Sequence, residues 1–295
     1  MLVFVAGVLA AEPSQAKPLF EQRQNVVYGE SHGVGLVMDV FVPTGPKNGL
    51  GIIDVVSGSY FSTRQRIDRH KYAGVFDTLC RRGFTVFAIR PGSQPRFVIP
   101  EMVTHVQQGI RWVKEHAKDY QVDPERLGLI GASAGGHLAC LAVMTAAAGT
   151  EDKGSVAAVG VFFPPTDFLD WGTRKFDVDN VQSVPPMVQN LAMNEKQRAR
   201  LSADEQFAAL ANVCPARIAH DALPPFLIIH GTNDLLVPFQ QSEKLHGVLR
   251  EAGVPCELLV MEKTGHGYDA MKSRMSHLAD WLDNTLGNAA KNHGP

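Results

Sequence analysis

The chain has 295 residues, of which 45% are hydrophobic and 20% charged, with a formal net charge of −2 at pH 7. This length and balance suit one large globular domain with a sizeable core, and they exclude a fibrous or disordered chain. Because a nucleic-acid surface needs clustered Lys and Arg, which the chain lacks, no nucleic-acid partner is expected.

The N-terminal segment has its own character. Residues 1–11 form an apolar run that is too short to cross a bilayer but has the length of the apolar part of a signal peptide. Small-residue patterns typical of a cleavage site occur at 8–10, within this run, and at 14–16, after it. The usual basic residue before the run is missing. We interpret 1–16 as a candidate signal peptide, which predicts a secreted or periplasmic protein. A cytoplasmic protein with an ordinary N-terminus is the alternative. No later stretch has the length of a membrane helix, so no stable membrane insertion is expected.

Apolar strands alternate with amphipathic helices along the rest of the chain. The pattern predicts strands at 25–28, 36–42, 50–56, 84–89, 127–130, 156–163, 224–230 and 256–261. It predicts helices at 72–82, 101–116, 135–148, 240–251 and 268–286. Such alternation indicates an α/β fold, in which a mostly parallel central sheet is covered by helices on both faces.

Residues 164–215 interrupt this alternation. They lie between two predicted sheet strands and contain Trp171, two adjacent prolines and a polar stretch at 194–205. A long insertion at this place forms either a cap over a site or an irregular surface excursion, and the sequence leaves both open. The predicted organisation is one domain at 17–295 with a candidate cap at 164–215.

The strongest chemical signal is the segment 131–135, Gly-Ala-Ser-Ala-Gly, which fits G-x-S-x-G between an apolar strand and a small-residue helix. A serine raised on a sharp strand-to-helix turn needs glycines around it, because side chains there would collide with backbone. The pattern predicts Ser133 as a nucleophile. A purely structural turn is the alternative.

A nucleophilic serine needs a base, and the base needs an acid that holds its tautomer. In this arrangement the chain order is Ser, acid, His. Asp234 follows a buried strand, and His266 stands between two glycines after the next strand. We therefore predict Asp234 as the acid and His266 as the general base. A turn or capping role for Asp234, and a structural role for His266, are the alternatives.

Several other side chains are weaker candidates for the acid and base roles. Asp167 is the second candidate for the acid, whereas Asp269 opens a predicted helix and suits a capping role better. His137 is expected to pack or hydrogen-bond structurally, and His230 to support the Asp234 loop. The remaining histidines considered are expected at the surface: His32, His70 and His246.

A tetrahedral intermediate needs two hydrogen-bond donors for its oxyanion. The backbone N–H of Ala134, directly after the predicted nucleophile, is the first candidate. The loop at 57–61, which follows an early strand, supplies the second, at Ser59 or Tyr60. An ordinary polar loop is the alternative.

The cysteines and histidines give no metal signal. The four cysteines, at positions 80, 140, 214 and 256, form no C-x-x-C pair, and none combines with histidine at zinc-ligand spacing. No metal site is therefore expected. Export would permit a disulfide, but the spacing does not pair these residues.

These motifs resemble those of the α/β-hydrolase serine carboxylesterases. The residues that carry the resemblance are Ser133 in GASAGGHLA, Asp234 in HGTNDLLVP and His266 in GHG, with further similarity at 109–113 and 122–127. The branch is the feruloyl- and acetyl-xylan-esterase-like one, related to the hormone-sensitive-lipase group, and the similarity spans roughly residues 28–286. The resemblance implies hydrolysis of a small-molecule or saccharide ester through an acyl-serine intermediate, without a cofactor.

The oxyanion loop departs from that family. Where those esterases carry H-G-G-x-W or H-G-G-G, this chain has Ser57, Gly58, Ser59, Tyr60 and Phe61. Backbone donors survive such changes, so hydrolysis is still expected, whereas the substrate class is not set by the resemblance.

Two other functions are alternatives to ester hydrolysis. The sequence leaves the oligomeric state open. A prolyl-oligopeptidase-type exopeptidase shares this kind of catalytic domain, but the residues before the first predicted strand are too few for its usual propeller. A non-catalytic hydrolase-like binding protein would have a broken triad, whereas all three positions are filled here.

Overall fold

A computed structural model of the chain describes residues 17–146, 156–176 and 181–289, and an eight-stranded sheet runs through its centre. The strands are β1 Phe20–Ser31, β2 Val34–Pro43, β3 Gly51–Val55, β4 Thr85–Arg90, β5 Leu127–Ala132, β6 Ala158–Phe162, β9 Phe226–Gly231 and β10 Cys256–Met261. Their order across the sheet is β1-β2-β4-β3-β5-β6-β9-β10. Strand β2 is antiparallel to both of its neighbours, and every other neighbouring pair is parallel.

Helices cover both faces of this sheet. The described helices are α1 Arg64–Tyr72, α2 Val75–Arg81, α3 Ile99–Glu115, α4 Ala134–Met144, α5 Pro186–Ala192, α6 Glu195–Arg198, α7 Ala203–Ala211, α8 Pro215–Ile218, α9 Gln240–Glu251 and α10 Tyr268–Ala289. Short 3₁₀ turns lie at Ala117–Tyr120 and Val181–Ser183. None of the described helices combines the length and the apolar character needed to span a membrane.

The buried side chains divide into two apolar clusters, one on each face. Neighbouring residues of β3 and β5 alternate between them: Ile53 and Leu129 belong to one cluster, Ile52 and Ile130 to the other. This alternation follows from the two-residue period of a strand, and it explains why the central strands are almost entirely apolar, with Asp54 of β3 as an exception. The predicted α/β class is confirmed.

The predicted helix at 72–82 corresponds to α2, which begins later than predicted. Helix α1 ends at Tyr72, and Gly74 takes a left-handed conformation, with φ of 77°, before α2 begins. A left-handed residue cannot continue a right-handed helix. Helix α1 itself was not predicted, because Ile67 is its only buried apolar residue and the sequence therefore lacks a helical apolar stripe.

The insertion at 164–215 consists, where the structure describes it, of α5 to α8 and a hairpin of β7 Asp170–Trp171 with β8 Arg174–Lys175. Its first residues are tied to α9, because the side-chain oxygen of Gln241 accepts the backbone N–H groups of Thr166 and Asp167. The prediction that it caps a site stays a prediction, as does the signal peptide at 1–16, which lies outside the described residues.

Candidate active site

Ser133 occupies a strained turn between β5 and α4. Its φ of 53° and ψ of −123° lie outside the regions that most residues adopt. A Cβ on Gly131 would come within 2.5 Å of the Gly135 carbonyl oxygen, and a Cβ on Gly135 would collide with the carbonyl oxygen of Val55. The two glycines therefore let α4 pack directly on the end of β3, which raises Ser133 at the carboxyl edge of the sheet.

Hydrogen bonds join the three residues predicted as nucleophile, base and acid. The distance from Ser133 Oγ to His266 Nε2 is 3.0 Å, and that from His266 Nδ1 to Asp234 Oδ2 is 2.6 Å. An ionised carboxylate can only accept, so Nδ1 donates to Asp234, and Nε2 is left to accept the Ser133 hydroxyl. The arrangement can therefore take a proton from Ser133.

Asp234 is buried and surrounded by donors. Its Oδ1 accepts the backbone N–H groups of Leu236 at 2.9 Å and Val237 at 2.8 Å, while Oδ2 accepts from both His266 and His230. Burial acts to raise the pKa of Asp234, but hydrogen bonds from His230, His266 and Val237 outweigh it and hold the pKa well below its ordinary value. The carboxylate is thus ionised at neutral pH.

His230 is fully buried at the end of β9 and contacts the same oxygen of Asp234 as His266 does. Its Nε2 lies 3.1 Å from Asp234 Oδ2 and 3.0 Å from the Val237 carbonyl oxygen, and its Nδ1 lies 2.7 Å from Ser242 Oγ. Since both partners of Nε2 only accept, Nε2 carries the proton and Nδ1 accepts the Ser242 hydroxyl. The predicted supporting role for this histidine agrees with these contacts.

Three backbone N–H groups beside Ser133 donate no hydrogen bond within the described chain: those of Ser59, Tyr60 and Ala134. Ser59 and Tyr60 have φ values of 51° and 63°, so both adopt the left-handed conformation in the loop after β3. The neighbouring loop residues are paired, because Gly58 and Phe61 exchange backbone hydrogen bonds. These are the residues predicted as oxyanion donors, and the free N–H groups can serve an anion there.

A large apolar cavity of about 410 Å³ opens on one side of Ser133. The insertion supplies much of its wall, through Pro165, Phe168, Trp171, Phe176, Met187 and Leu191. Tyr60 and Ala134 complete the wall next to Ser133. This volume lies within the range of sites that bind small organic molecules.

A second, smaller cavity of about 120 Å³ also borders Ser133. Its lining includes His266, Ser57, Arg66 and Tyr268. Of the two cavities, this one borders the imidazole, so a group bound in it would lie next to the predicted general base.

Apart from His230, the side chains of the other candidate residues form no hydrogen bond with those of Ser133, Asp234 or His266 within the described chain, although His137 Nδ1 lies 3.1 Å from the Tyr60 hydroxyl. Asp167, the second candidate for the acid, pairs with Arg217 at 2.9 Å and with Lys244 at 2.6 Å rather than with His266. His137 is buried, and burial lowers its pKa to about 4, although a hydrogen bond to the Val213 carbonyl acts against this. Asp269 accepts the Tyr72 hydroxyl at 2.6 Å.

The surface placement predicted for His70 is wrong. Its side chain is 1% exposed, and Nδ1 lies 2.7 Å from Asp54 on β3. His70 belongs to α1, whose amphipathic character the sequence did not reveal. All four cysteines are free thiols, and no group of side chains suited to a metal occurs among the described residues.

Apart from Trp171, sequence reasoning did not single out Arg66 or the apolar residues that the insertion contributes. Arg66 lies in α1, which was not predicted. The cavity-lining residues of the insertion lie in loops, in the β7–β8 hairpin and in the short helix α5, where no long apolar period marks them. Trp171 and Tyr60 line the large cavity, whereas Phe97 is buried against His105 and Phe61 is 40% exposed.

The chain is similar in sequence to several esterases. It is 29% identical over 255 residues to a probable isoprenylcysteine alpha-carbonyl methylesterase of Oryza sativa subsp. japonica, covering 82% of this chain and 57% of that protein. It is 28% identical over 236 residues to the probable carboxylic ester hydrolase LipM of Mycobacterium tuberculosis, covering 77% of this chain and 52% of that protein. The chain thus spans about half the length of the curated relatives it matches.

Solved structures share its fold. A truncated carbohydrate esterase from gut microbiota superposes with a TM-score of 0.74 at 22% identity, covering 92% of this chain and 99% of the other. The native thermophilic esterase Est2 of the planctomycete Thermogutta terrifontis gives a TM-score of 0.65 at 26% identity, covering 92% and 93%. The family profile named BD-FAE matches residues 38–249. The chain has the α/β-hydrolase fold and belongs to the BD-FAE family.

Proposed function

We propose that this protein is a serine carboxylesterase. The observation that carries the proposal is the continuous hydrogen-bonded chain from Ser133 through His266 to Asp234, placed beside free backbone N–H groups. The sequence relatives named as ester hydrolases and the esterase of similar structure support the same reaction class.

The proposed reaction has two stages. Ser133 Oγ attacks the ester carbonyl carbon while His266 Nε2 takes its proton, and the N–H groups of Ala134 and of Ser59 or Tyr60 stabilise the oxyanion. His266 then gives that proton to the leaving alcohol, which forms the acyl-serine. Water, deprotonated by His266, releases the acid and restores Ser133. No cofactor takes part in these steps.

In this proposal the acyl half and the alcohol half of the ester bind in different cavities. The leaving alcohol oxygen must lie within hydrogen-bonding distance of His266 Nε2, and the smaller cavity borders that residue. The acyl group is therefore assigned to the large apolar cavity, which has room for a short aliphatic chain or a hydroxycinnamoyl group. Acetylated or feruloylated polysaccharide is accordingly a candidate substrate.

Replacement of Ser133 tests the proposal. We expect Ser133→Ala to lower kcat for p-nitrophenyl butyrate at least about a thousandfold, because the attacking oxygen is lost and only the binding and oxyanion contributions remain. A fluorophosphonate probe should label the wild type and not the variant.

Ser276→Ala is the matched control, since Ser276 is exposed on α10, and this variant should keep wild-type turnover. Equal rates for wild type and Ser133→Ala would remove Ser133 from the mechanism. A wild type that neither turns over esters nor reacts with the probe would indicate a non-catalytic binding protein.

A further inference from the structure

The smaller cavity beside Ser133 contains a cation without an acidic partner. Arg66 lines this cavity and is partly exposed. Within the described chain it forms no ion pair, and its one side-chain hydrogen bond runs from Nη1 to the Tyr268 hydroxyl at 3.3 Å. By contrast, the neighbouring Arg64 pairs with buried Asp39.

The oxyanion loop makes room for this guanidinium. A Cβ at Gly58 would come within 2.7 Å of Arg66 Cζ and 2.8 Å of Nε. Any residue other than glycine at position 58 would therefore push the guanidinium away from the loop. The absence of a side chain at Gly58 keeps Arg66 at the wall of the cavity that also borders His266.

A second polar group in the same wall, the Ser57 hydroxyl, forms no hydrogen bond within the described chain. Ser57 lines the cavity and is 2% exposed, and its Oγ is buried without a hydrogen bond to any described residue. An unpaired buried hydroxyl costs free energy unless a bound group satisfies it. A hydroxyl and a guanidinium without an acidic partner together favour an anion that carries several acceptor oxygens.

We propose that this cavity binds the alcohol half of the ester and that Arg66 selects alcohols that carry a carboxylate. The inference rests on the proposed function, because His266 protonates the leaving oxygen at this side of Ser133. The volume of about 120 Å³ suits a small hydroxy acid rather than a second large apolar group. The planar guanidinium can hold a carboxylate through two parallel hydrogen bonds.

Two esters that differ by one charge test this selection. The probes are (butanoyloxy)acetate and its neutral amide, (butanoyloxy)acetamide, which share the acyl group and nearly the same shape. For wild type we expect kcat/KM to be about tenfold higher for the anionic ester, a moderate factor because solvent screens a partly exposed charge. Arg66→Met should abolish this ratio, and Arg66→Lys should restore part of it.

Arg69→Met is the matched control, because Arg69 is exposed on the same helix and does not line the cavity. It removes the same charge and should keep the wild-type ratio. If Arg66→Met fails to fold, as judged by thermal melting, Arg66→Gln replaces it. An anionic preference that survives loss of Arg66, or its absence in wild type, overturns the inference.

A binding measurement separates this inference from the proposed function. In the Ser133→Ala background, calorimetry should show tighter binding of the anionic ester, and the difference should vanish in Ser133→Ala with Arg66→Met. If wild type hydrolyses neither these esters nor p-nitrophenyl butyrate but shows this binding preference, the hydrolase proposal is wrong and the anion site is supported. If both esters bind equally, or the anionic ester does not bind at about 10 mM, the anion site falls.

Discussion

At the scale of single residues, the site depends on how firmly one carboxylate is held. Asp234 receives hydrogen bonds from two imidazoles and two backbone N–H groups. The two backbone donors come from its own loop, and His230 comes from the end of the preceding strand. These contacts orient Asp234 Oδ2 towards His266, and in the proposed mechanism that orientation sets the imidazole tautomer.

We expect His230→Leu to lower kcat for p-nitrophenyl butyrate by about tenfold to a hundredfold, with little change in KM. The reason is that Asp234 loses a charge-assisted hydrogen bond, which is commonly worth about 1.5–3 kcal/mol. His230→Gln retains a donor and should recover part of kcat. Steady-state kinetics of the folded variants checks this expectation.

Ser242→Ala is the companion variant. It removes only the bond to Nδ1 and leaves both Nε2 contacts in place, so its effect on kcat should be smaller. A loss confined to KM, or an equal loss in Ser242→Ala and His230→Leu, would contradict a positioning role.

At the scale of elements, two regions build the site in different ways. The β5–α4 turn is constrained by close backbone contacts around Ser133. The insertion instead supplies side chains to the large cavity, including Phe168, which stacks on Trp171 with ring centroids 5.9 Å apart. We therefore expect changes in the turn to abolish activity and changes in the insertion to alter the choice of acyl group.

We expect Trp171→Ala to lower the ratio of kcat/KM for methyl ferulate to that for p-nitrophenyl acetate about tenfold. A hydroxycinnamoyl group is long enough to reach the aromatic wall, whereas an acetyl group is not, and lost aromatic contacts cost about 1–2 kcal/mol. The same ratio, measured for the wild type with a series of esters from acetyl to feruloyl, provides the reference. Trp281→Ala, on α10 and away from both cavities, should keep the ratio, and an unchanged ratio in Trp171→Ala would remove Trp171 from acyl recognition.

At the scale of the whole molecule, two buried histidines link stability to pH. Burial lowers the pKa of both His105 and His137 to about 4. In the unfolded chain a histidine titrates near 6.5, so the unfolded state binds more protons between pH 6.5 and 4. These two histidines therefore do not reduce the free energy of unfolding above pH 6.5, and they reduce it progressively as the pH decreases towards 4.

We expect the free energy of unfolding of wild type to decrease between pH 7 and pH 4.5, by roughly 2 kcal/mol from each of these histidines. His105→Leu should make that decrease smaller by the roughly 2 kcal/mol due to His105. The variant also leaves the Gly92 N–H without its acceptor, which lowers the free energy of unfolding at every pH. Urea denaturation at both pH values measures the change. A variant with the same pH dependence as wild type would contradict this assignment.

The sequence alone predicted the eight strands of the central sheet in chain order, five of the helices, and the three side chains of the proposed catalytic centre. Strand β10 and helix α9 have their predicted bounds, because apolar periodicity and glycine or proline boundaries are local properties. Ser133, Asp234 and His266 could be predicted because each follows a strand of the parallel part of the sheet, and the carboxyl ends of parallel strands meet at one edge.

Only the tertiary structure decided what surrounds that centre. Helix α1 carries little apolar pattern, so neither its existence nor the burial of His70 could be deduced, and Arg66 gained significance only where α1 packs beside Gly58. The large cavity likewise combines Tyr60 with residues more than a hundred positions later, and its shape depends on packing between distant segments. Local sequence encodes the propensity of each element, but distances between side chains remote in the chain arise only when the elements pack together.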